Sequence, residues 1–330
     1  MELTTNYLGL TLAHPFMPGA SPLSDNLDTV RELEDAGASA IVMRSLFEEQ
    51  VVRDRYGLVY ATHTDTATRA AIASYFPSSS EYALTPHQYL EQIRLIKARV
   101  SIPVIASLNG TTAEGWLECA RALQSAGADA VELNFYHIAT DVLEDGNSVE
   151  RRLLNVVAVL KETVRIPVAV KLSPFYSSLP HLASRIESLG ADGLVLFNRF
   201  YQPDIDPDEL DAAPRLQLSA SSDLLLRLRW LAILSQSVRG SLAVTGGVHE
   251  PIHAVKAVMA GADGVQLVSA LLQKGPWHLT TIRRGFEQWC EAHRYGSIDQ
   301  IRDSMSLALS PDPHAFERGH YARILQSWGR

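Results

Sequence analysis

Apolar residues fall along this chain in two rhythms. Short continuous apolar runs, the mark of strands buried on both faces, alternate with longer segments in which apolar residues recur every three or four positions, the mark of amphipathic helices. The runs lie at Phe16–Ala20, Ala40–Arg44, Pro103–Leu108, Ala130–Asn134, Pro167–Leu172, Gly193–Asn198, Leu242–Gly246 and Gly264–Val268. Helical periodicity covers Leu27–Ala36, Pro86–Val100, Ala113–Ala126, Val149–Val164, Leu179–Leu189, Asp223–Val238 and Pro251–Ala260. One phrase recurs at the helix-to-strand junctions: Ala36-Gly37-Ala38-Ser39-Ala40, Ala126-Gly127-Ala128-Asp129-Ala130, Leu189-Gly190-Ala191-Asp192-Gly193 and Ala260-Gly261-Ala262-Asp263-Gly264. A glycine just past a helix accepts positive φ and ends it. A small residue and an Asp then lead the chain into the next strand. Ile102-Pro103-Val104 and Ile166-Pro167-Val168 mark two further junctions, where proline stops a helix and opens a strand.

Eight strands alternating with helices predict an α/β fold, a closed parallel (β/α)8 TIM barrel. A doubly wound sheet would carry Gly-x-Gly-x-x-Gly after its first strand, and this chain has no such loop there. Two loops are long: Ser45–Thr85 after the second strand, and Arg199–Ser222, acidic and proline-containing, after the sixth. Both should emerge on the C-terminal face, where barrel active sites are built, and loops of this length often act as lids. No linker-like composition divides the chain, so 1–330 reads as a single domain. Its polar tail, 295–330, reads as a C-terminal helical extension lying against the barrel wall or a partner subunit.

Composition narrows the function classes. Hydrophobic residues make up 46% of the 330 positions, enough for a large core, and the formal net charge is −8. That balance speaks against nucleic acid as a partner, which needs a positive field. Cys119 and Cys290 are far apart and in no ligand spacing, so no metal site is expected, and both read as buried free thiols of a reducing cytoplasm. Met1–Gly9 lacks the pattern of a secretory leader, and no stretch is long and apolar enough to span a bilayer. A soluble cytoplasmic protein is expected.

The candidate chemistry gathers at the strand ends. Thr245-Gly246-Gly247-Val248 follows the seventh strand and Val268-Ser269 the eighth. A Gly-Gly turn lets main-chain N–H groups approach a phosphate, and phosphate sites in such barrels lie at these two loops. His249 could reach the same anion. Lys171 ends the fifth strand and should point into the mouth, where it would neutralise a reduced flavin, act as a Schiff-base nucleophile, or simply pair with Glu132. Asn134 and Asn198 end the fourth and sixth strands, and their amides suit a planar ligand of alternating carbonyl and N–H groups. Arg44 and Ser45 add a charge and a hydroxyl to the rim. His137, three residues past Asn134, is a candidate general base, with Tyr136 as its competitor.

With these residues in place, the chain resembles the dihydroorotate dehydrogenase family, class 1 type, over about residues 3–285. The likeness rests on His14-Pro15-Phe16-Met17-Pro18-Gly19-Ala20-Ser21, Met43-Arg44-Ser45, Glu132-Leu133-Asn134, Val170-Lys171-Leu172, Phe197-Asn198, Thr245-Gly246-Gly247-Val248, and Gln266-Leu267-Val268-Ser269-Ala270-Leu271 with Lys274-Gly275-Pro276. The resemblance implies FMN, held by Ala20, Ser21, Arg44 (where the family has Lys), Ser45, Asn134, Lys171, Phe197, Ser219, Gly246, Gly247, Val268 and Ser269. It implies a homodimer, and His137 and Lys171 as catalytic residues. The substrate side departs from the family. His137 stands where the family has a Cys or Ser base, Ile138-Ala139 where it has Pro-Asn, Ser78 where a loop amide binds substrate, and Arg199 where Ser follows the strand-end Asn.

The expected substrate is a small planar carbonyl compound held by Asn134, Asn198, Arg199 and Ser78. The expected reaction is FMN-dependent oxidation of a CH–CH bond, dihydroorotate to orotate in pyrimidine biosynthesis. Three alternatives stay open: a flavin oxidoreductase for another cyclic or enoate substrate, an aldolase-type barrel using Lys171, and a non-catalytic FMN-binding subunit. Fumarate, NAD through a partner, and ferredoxin are all compatible electron acceptors.

Overall fold

The computed structural model describes residues 1–51, 84–111, 116–199, 202–213, 216–315 and 319–327. Eight parallel strands form one sheet: β1 (Phe16–Pro18), β2 (Ile41–Phe47), β3 (Val104–Asn109), β4 (Ala130–Asn134), β5 (Val168–Leu172), β6 (Gly193–Leu196), β7 (Ser241–Thr245) and β8 (Gly264–Leu267). Hydrogen-bonded neighbours run from β2 through β3, β4, β5, β6, β7 and β8 to β1. The seam between β1 and β2 is bridged by Ser39, whose N–H and Oγ both donate to the Phe16 carbonyl, at 3.1 and 2.8 Å. Helices α1 (Leu27–Asp35), α2 (Pro86–Arg99), α3 (Trp116–Ala126), α4 (Gly146–Thr163), α5 (Leu179–Ser188), α6 (Leu224–Leu234) and α7 (Pro251–Met259) connect them. The fold is the (β/α)8 barrel that the alternation predicts. β2 runs three residues past its expected end, with a register irregularity between Val42 and Ser45, so Arg44 and Ser45 lie within the strand.

The recurring Gly-Ala-Asp phrase has a structural cause. Gly37, Gly127, Gly190 and Gly261 all have positive φ, which turns the chain off each helix. After the last three of these, the Asp that follows staples its strand to the one before, at the end opposite the mouth. The Asp129 N–H donates to the Val104 carbonyl at 2.8 Å, while Asp129 Oδ2 accepts from the Val104 N–H and from Lys97 Nζ, both at 2.7 Å. Asp192 repeats this on Val168, with Lys161 as the cation. Asp263 repeats it on Leu242, with Arg302 of the tail as the cation at 2.9 Å. The first strand N–H groups of a barrel have no helical partner, and these carboxylates satisfy them.

Side-chain alternation divides the core. Outward residues such as Val131, Leu133, Val170, Leu172, Leu194 and Val244 pack against the helices. Inward residues at the lower end are small: Ala40, Ala130, Ala169 and Ala243. The space they leave is filled by a hairpin (Thr5–Tyr7 with Leu10–Leu12) that the sequence reading did not foresee. Its Tyr7, Leu8 and Leu12 pack among those alanines. A Cβ on Gly193 would stand 2.7 Å from Leu8 Cδ2 and 2.6 Å from the Ser241 carbonyl, so only glycine admits the plug there.

Beyond β8, α8 (Ser269–Lys274) and α9 (His278–Ala292) complete the wall. The tail takes short 3-10 turns at Ile298–Gln300 and Pro313–Ala315 and is α-helical only over Gly319–Gln326 among the described residues. Its N–H groups are spent on the barrel: Asp303 on Val258, Met305 on Met259 and Leu307 on Ala232. A segment that donates to neighbouring helix ends in this way cannot form its own ladder. A second small hairpin, Asp204–Asp206 with Asp211–Ala213, lies in the loop after β6.

Burial pushes the Asp263 carboxyl up to about 6, against the opposing pull of the Leu242 N–H and Arg302. A carboxyl raised above its unfolded value contributes stability that is full below about pH 4 and is lost as pH rises through about 6. Asp263→Asn keeps an acceptor for the Leu242 N–H but does not titrate. Between about pH 4 and about pH 7, its unfolding free energy in urea should fall less than the parent's, by about 2–3 kcal/mol. Parallel profiles would show that Asp263 is ionised across the whole range.

Candidate active site

The same alternation that buries apolar residues outward sends Glu132, Lys171 and Gln266 into the barrel. Lys171 Nζ lies 3.1 Å from Glu132 Oε1, with the two side chains only 7% and 1% exposed. The other carboxylate oxygen, Oε2, accepts from Gln266 Nε2 at 2.5 Å. Both Glu132 oxygens are therefore engaged, as a buried carboxylate requires. Below them sits the Tyr7 phenol of the plug, pushed well up by burial and by the Glu132 charge.

Around this pair the strand ends carry polar atoms with no partner. Asn134, opposite Lys171 in the β4–β5 register, has a buried Oδ1 without a hydrogen bond; so do Asn198 at Nδ2, Ser21 at Oγ and Gln266 at Oε1. The Asn198 N–H is anchored to the Leu172 carbonyl at 2.8 Å, which fixes the residue while its amide stays unmet. Gly19, just before Ala20 and Ser21, packs so closely on β8 that a Cβ there would stand 2.8 Å from Val268 Cγ2. Arg44 is held by Asp25 at 2.7 Å, and Ser45 Oγ pairs with Ser107 Oγ at 2.8 Å. Phe197 is buried in the outer core, so its main chain, not its ring, is what can face the mouth.

A second cluster forms where the β6, β7 and β8 loops meet. Ser219 Oγ donates to Ser269 Oγ at 2.9 Å, the Ser219 N–H reaches the same oxygen at 2.9 Å, and the Gly247 N–H donates to Ser219 Oγ at 3.2 Å. His249 Nε2 is 3.5 Å from Ser219 Oγ. Gly246 and Gly247 both have φ near +85° (86° and 84°), and a Cβ on Gly247 would collide with the main chain of Leu224. The structure thus brings Ser219, Gly247, Ser269 and His249 together where these loops meet. Arg199 lies beside it, its Nη1 3.2 Å from Asp223 Oδ2.

His137 is placed differently from the residues around Lys171. Its Nε2 is 3.0 Å from Glu144 Oε2 and 2.8 Å from Arg152 Nη1, and Arg152 Nη2 closes the trio on Glu144 Oε1 at 2.5 Å. Its ring is about one-fifth exposed, at 19%. Asp145 caps α4 by accepting from the Ser148 N–H, and that helix start carries Arg152 back over the loop. Sequence reasoning found His137 but not Glu144 or Arg152, which lie seven and fifteen residues away with no motif between them. It singled out neither Gln266 nor Tyr7. The period-two parity of β8, read against Glu132 on β4, would have pointed Gln266 inward. Ser78 lies outside the described residues, as does most of the long loop after β2. Among the described residues, no group of three or more His, Cys, Asp or Glu side chains could hold a metal, and no helix is long and apolar enough to cross a membrane. Cys119 and Cys290 are buried.

Breaking a buried ion pair from one side leaves an unpaired charge. Glu132→Leu alone should cost about 3–5 kcal/mol in urea unfolding, and Lys171→Met added to it should recover much of that loss. Additive single and double losses would mean that the two side chains do not depend on each other.

The family described as "Dihydroorotate dehydrogenase" matches residues 2–289, from just before the plug hairpin to the last turn of α9. The catalytic subunit of dihydroorotate dehydrogenase B (NAD(+)) from Thermoplasma acidophilum is 26% identical over 91% of this chain and 97% of its own length. The subunit of the same name from Pyrococcus abyssi is 26% identical, over 93% and 99%, and that from Methanothermobacter thermautotrophicus 25%, over 91% and 97%. With a barrel of the right topology and a family match across most of its length, the chain belongs to the dihydroorotate dehydrogenase family.

Proposed function

We propose that this protein is an FMN-dependent oxidoreductase that desaturates a CH–CH bond beside a carbonyl, with dihydroorotate as the first substrate to test. The observation that carries this reading is the ring of buried, unmet polar atoms (Ser21 Oγ, Asn134 Oδ1, Asn198 Nδ2) around the Lys171–Glu132 pair. Each such atom costs about 1–3 kcal/mol if nothing meets it. A mouth lined in this way suits flat groups with donors and acceptors along their edges, which describes both an isoalloxazine ring and a cyclic amide. The Ser219–Gly247–Ser269 cluster suits the phosphate of the same cofactor.

When bound, FMN would supply the two-electron acceptor. Ala20 and Ser21 would border its ring from β1, Arg44 and Ser45 from β2. Lys171 holds a fixed positive charge in the mouth, where negative charge gathers on reduction. Asn134 and Asn198 bind and orient the substrate's carbonyl and N–H edge, with Arg199 beside them. His137 takes the proton from the carbon next to the carbonyl, while hydrogen and two electrons leave the adjacent carbon and the C–C bond becomes double. Glu144 and Arg152 fix the imidazole in its loop. An ammonium already bonded to a buried carboxylate is a poor amine nucleophile, which favours this electrostatic role for Lys171 over an aldolase role. The relatives named as NAD(+) catalytic subunits make NAD, reached through a partner, the acceptor to try first. The His137–Glu144–Arg152 trio, standing where the family has a Cys or Ser, favours as a second reading a dihydropyrimidine or enoate other than dihydroorotate.

The purified protein should be yellow, absorbing near ~450 nm as oxidised flavins do, and its colour should bleach anaerobically with dihydroorotate or with one of a panel of dihydropyrimidines and enoates. A protein that stays colourless after incubation with FMN overturns the flavin reading. One that holds FMN yet is reduced by none of the panel leaves the binding role alone standing.

His137→Ala should lower turnover on the active substrate by about 10²–10⁴ with flavin content unchanged. Turnover close to the parent's would remove His137 from the chemistry and turn attention to Tyr136.

A further inference from the structure

The sequence of α6, Leu224-Leu225-Leu226-Arg227-Leu228-Arg229-Trp230, offers an arginine in a run that helix packing alone would fill with leucine. Arg227 is only 7% exposed. Its Nε donates to the Thr245 carbonyl and its Nη1 to the Asp223 carbonyl at 2.5 Å. Both acceptors are neutral. The Asp223 carboxylate is engaged elsewhere, by Arg199 at 3.2 Å and by the Ala220 N–H at 2.9 Å. Among the described residues, Arg227 Nη2 has no hydrogen-bond partner. A buried cation without a bonded counter-ion costs several kcal/mol. Burial accordingly pulls Arg227 below the ordinary arginine range, with Asp223 opposing and Arg199 adding to the effect.

The glycine turn of the cradle shows where this charge is aimed. A Cβ on Gly246 would stand 3.0 Å from Arg227 Nη2, 3.2 Å from Cζ and 3.2 Å from Nε. The guanidinium therefore lies flat against Gly246, and any side chain there would push it away. The next residue, Gly247, gives its N–H to Ser219 Oγ, the centre of the hydroxyl cluster shared with Ser269. An arginine N–H thus sits against the turn whose neighbour, Gly247, is tied into the hydroxyl cluster.

We propose that Arg227 is the charged wall of this cradle and sets its preference for a phosphate monoester dianion, so that the phosphorylated flavin is held and the dephosphorylated one is not. The inference rests on the FMN reading above. It departs from a cradle made of main-chain donors alone, which would favour the anion through dipoles without a full charge.

The test compares FMN with riboflavin on the flavin-depleted full chain, each titrated by quenching of flavin fluorescence. The parent should prefer FMN. Arg227→Met should weaken FMN binding by about 10- to 100-fold, the range for a hydrogen bond to a charged group, and leave riboflavin binding within about threefold. Arg227→Lys should recover part of the loss, since it keeps the charge but not the fork. If Arg227→Met does not fold, Arg227→Lys against the parent carries the same comparison. Equal losses for FMN and riboflavin in either variant, or no loss for either, would make Arg227 a packing residue and overturn the proposal. A parent that binds both flavins equally overturns the phosphate reading itself, and a parent that binds neither overturns the flavin reading, whatever the variants do.

Discussion

The Lys171–Glu132 pair lies inside a barrel whose lower interior is apolar: alanines, Met17, Val42, Ile105 and Val195 of the strands, and the side chains of the N-terminal plug. Taking a carboxylate and an ammonium out of water costs several kcal/mol per ion, and mutual attraction offsets this only when the remaining hydrogen-bonding capacity is met. Gln266 meets part of it from β8, on the far side of the barrel. That requirement constrains everything around it. Side chains on a strand alternate, so a slip of one residue in β4 or β5 would turn the charges into the apolar shell and Leu133 or Val170 inward. The charged pair and the outer leucines and valines therefore demand the same register. The mouth inherits its geometry from that agreement, because Asn134 and Lys171 are register partners.

The plug and the staples support the same end from below. Small inward residues leave room that Tyr7, Leu8 and Leu12 occupy, and the Asp129, Asp192 and Asp263 carboxylates tie β4, β6 and β8 to their predecessors. The barrel thus has an anchored, dry lower half and a polar upper half. Side-chain layers that fill a barrel make it a packed core rather than a pore, so a ligand can enter only from the mouth. That is the face where the unmet amides and the glycine turn lie.

Local signals in the sequence were enough for the framework. The helix-ending glycines and the apolar runs act within a few residues of themselves, and all eight strands fall where those runs put them. The staples were visible as a repeated Asp but not as staples, because each acts on a strand some twenty residues earlier (Asp192 on Val168, for instance). The strand-end candidates Asn134, Lys171, Asn198 and Gly246–Gly247 were legible because an apolar run that stops on a polar residue marks the mouth. Their partners were not. Arg227 reads in sequence as one of two arginines in a leucine-rich helix, and only the contact with Gly246 separates it from Arg229. The plug hairpin, three residues a strand, is too short to show a period. Much of the tail is held by carbonyls of α6 and α7, which no local pattern in 295–330 records.

The two halves of the site are also built differently, which bears on how the chemistry can change within this fold. Lys171, Glu132, Gln266 and Asn134 belong to strands whose register the core enforces, and Gly246–Gly247 packs against the first turn of α6. Shifting any of them disturbs the barrel. His137 and Glu144 belong to a loop, and Arg152 reaches them from a helix whose other faces do the packing. A loop can exchange its residues without cost to the strands. A thiol or hydroxyl base in this position would have no need of a carboxylate and a guanidinium, whereas an imidazole in their company gains a fixed orientation from both. The loop and α4 therefore give the imidazole at 137 a local surrounding that fits it. On the FMN reading proposed above, an altered substrate side on a retained barrel would take this form, with the cofactor half on the constrained strands and the change confined to a loop.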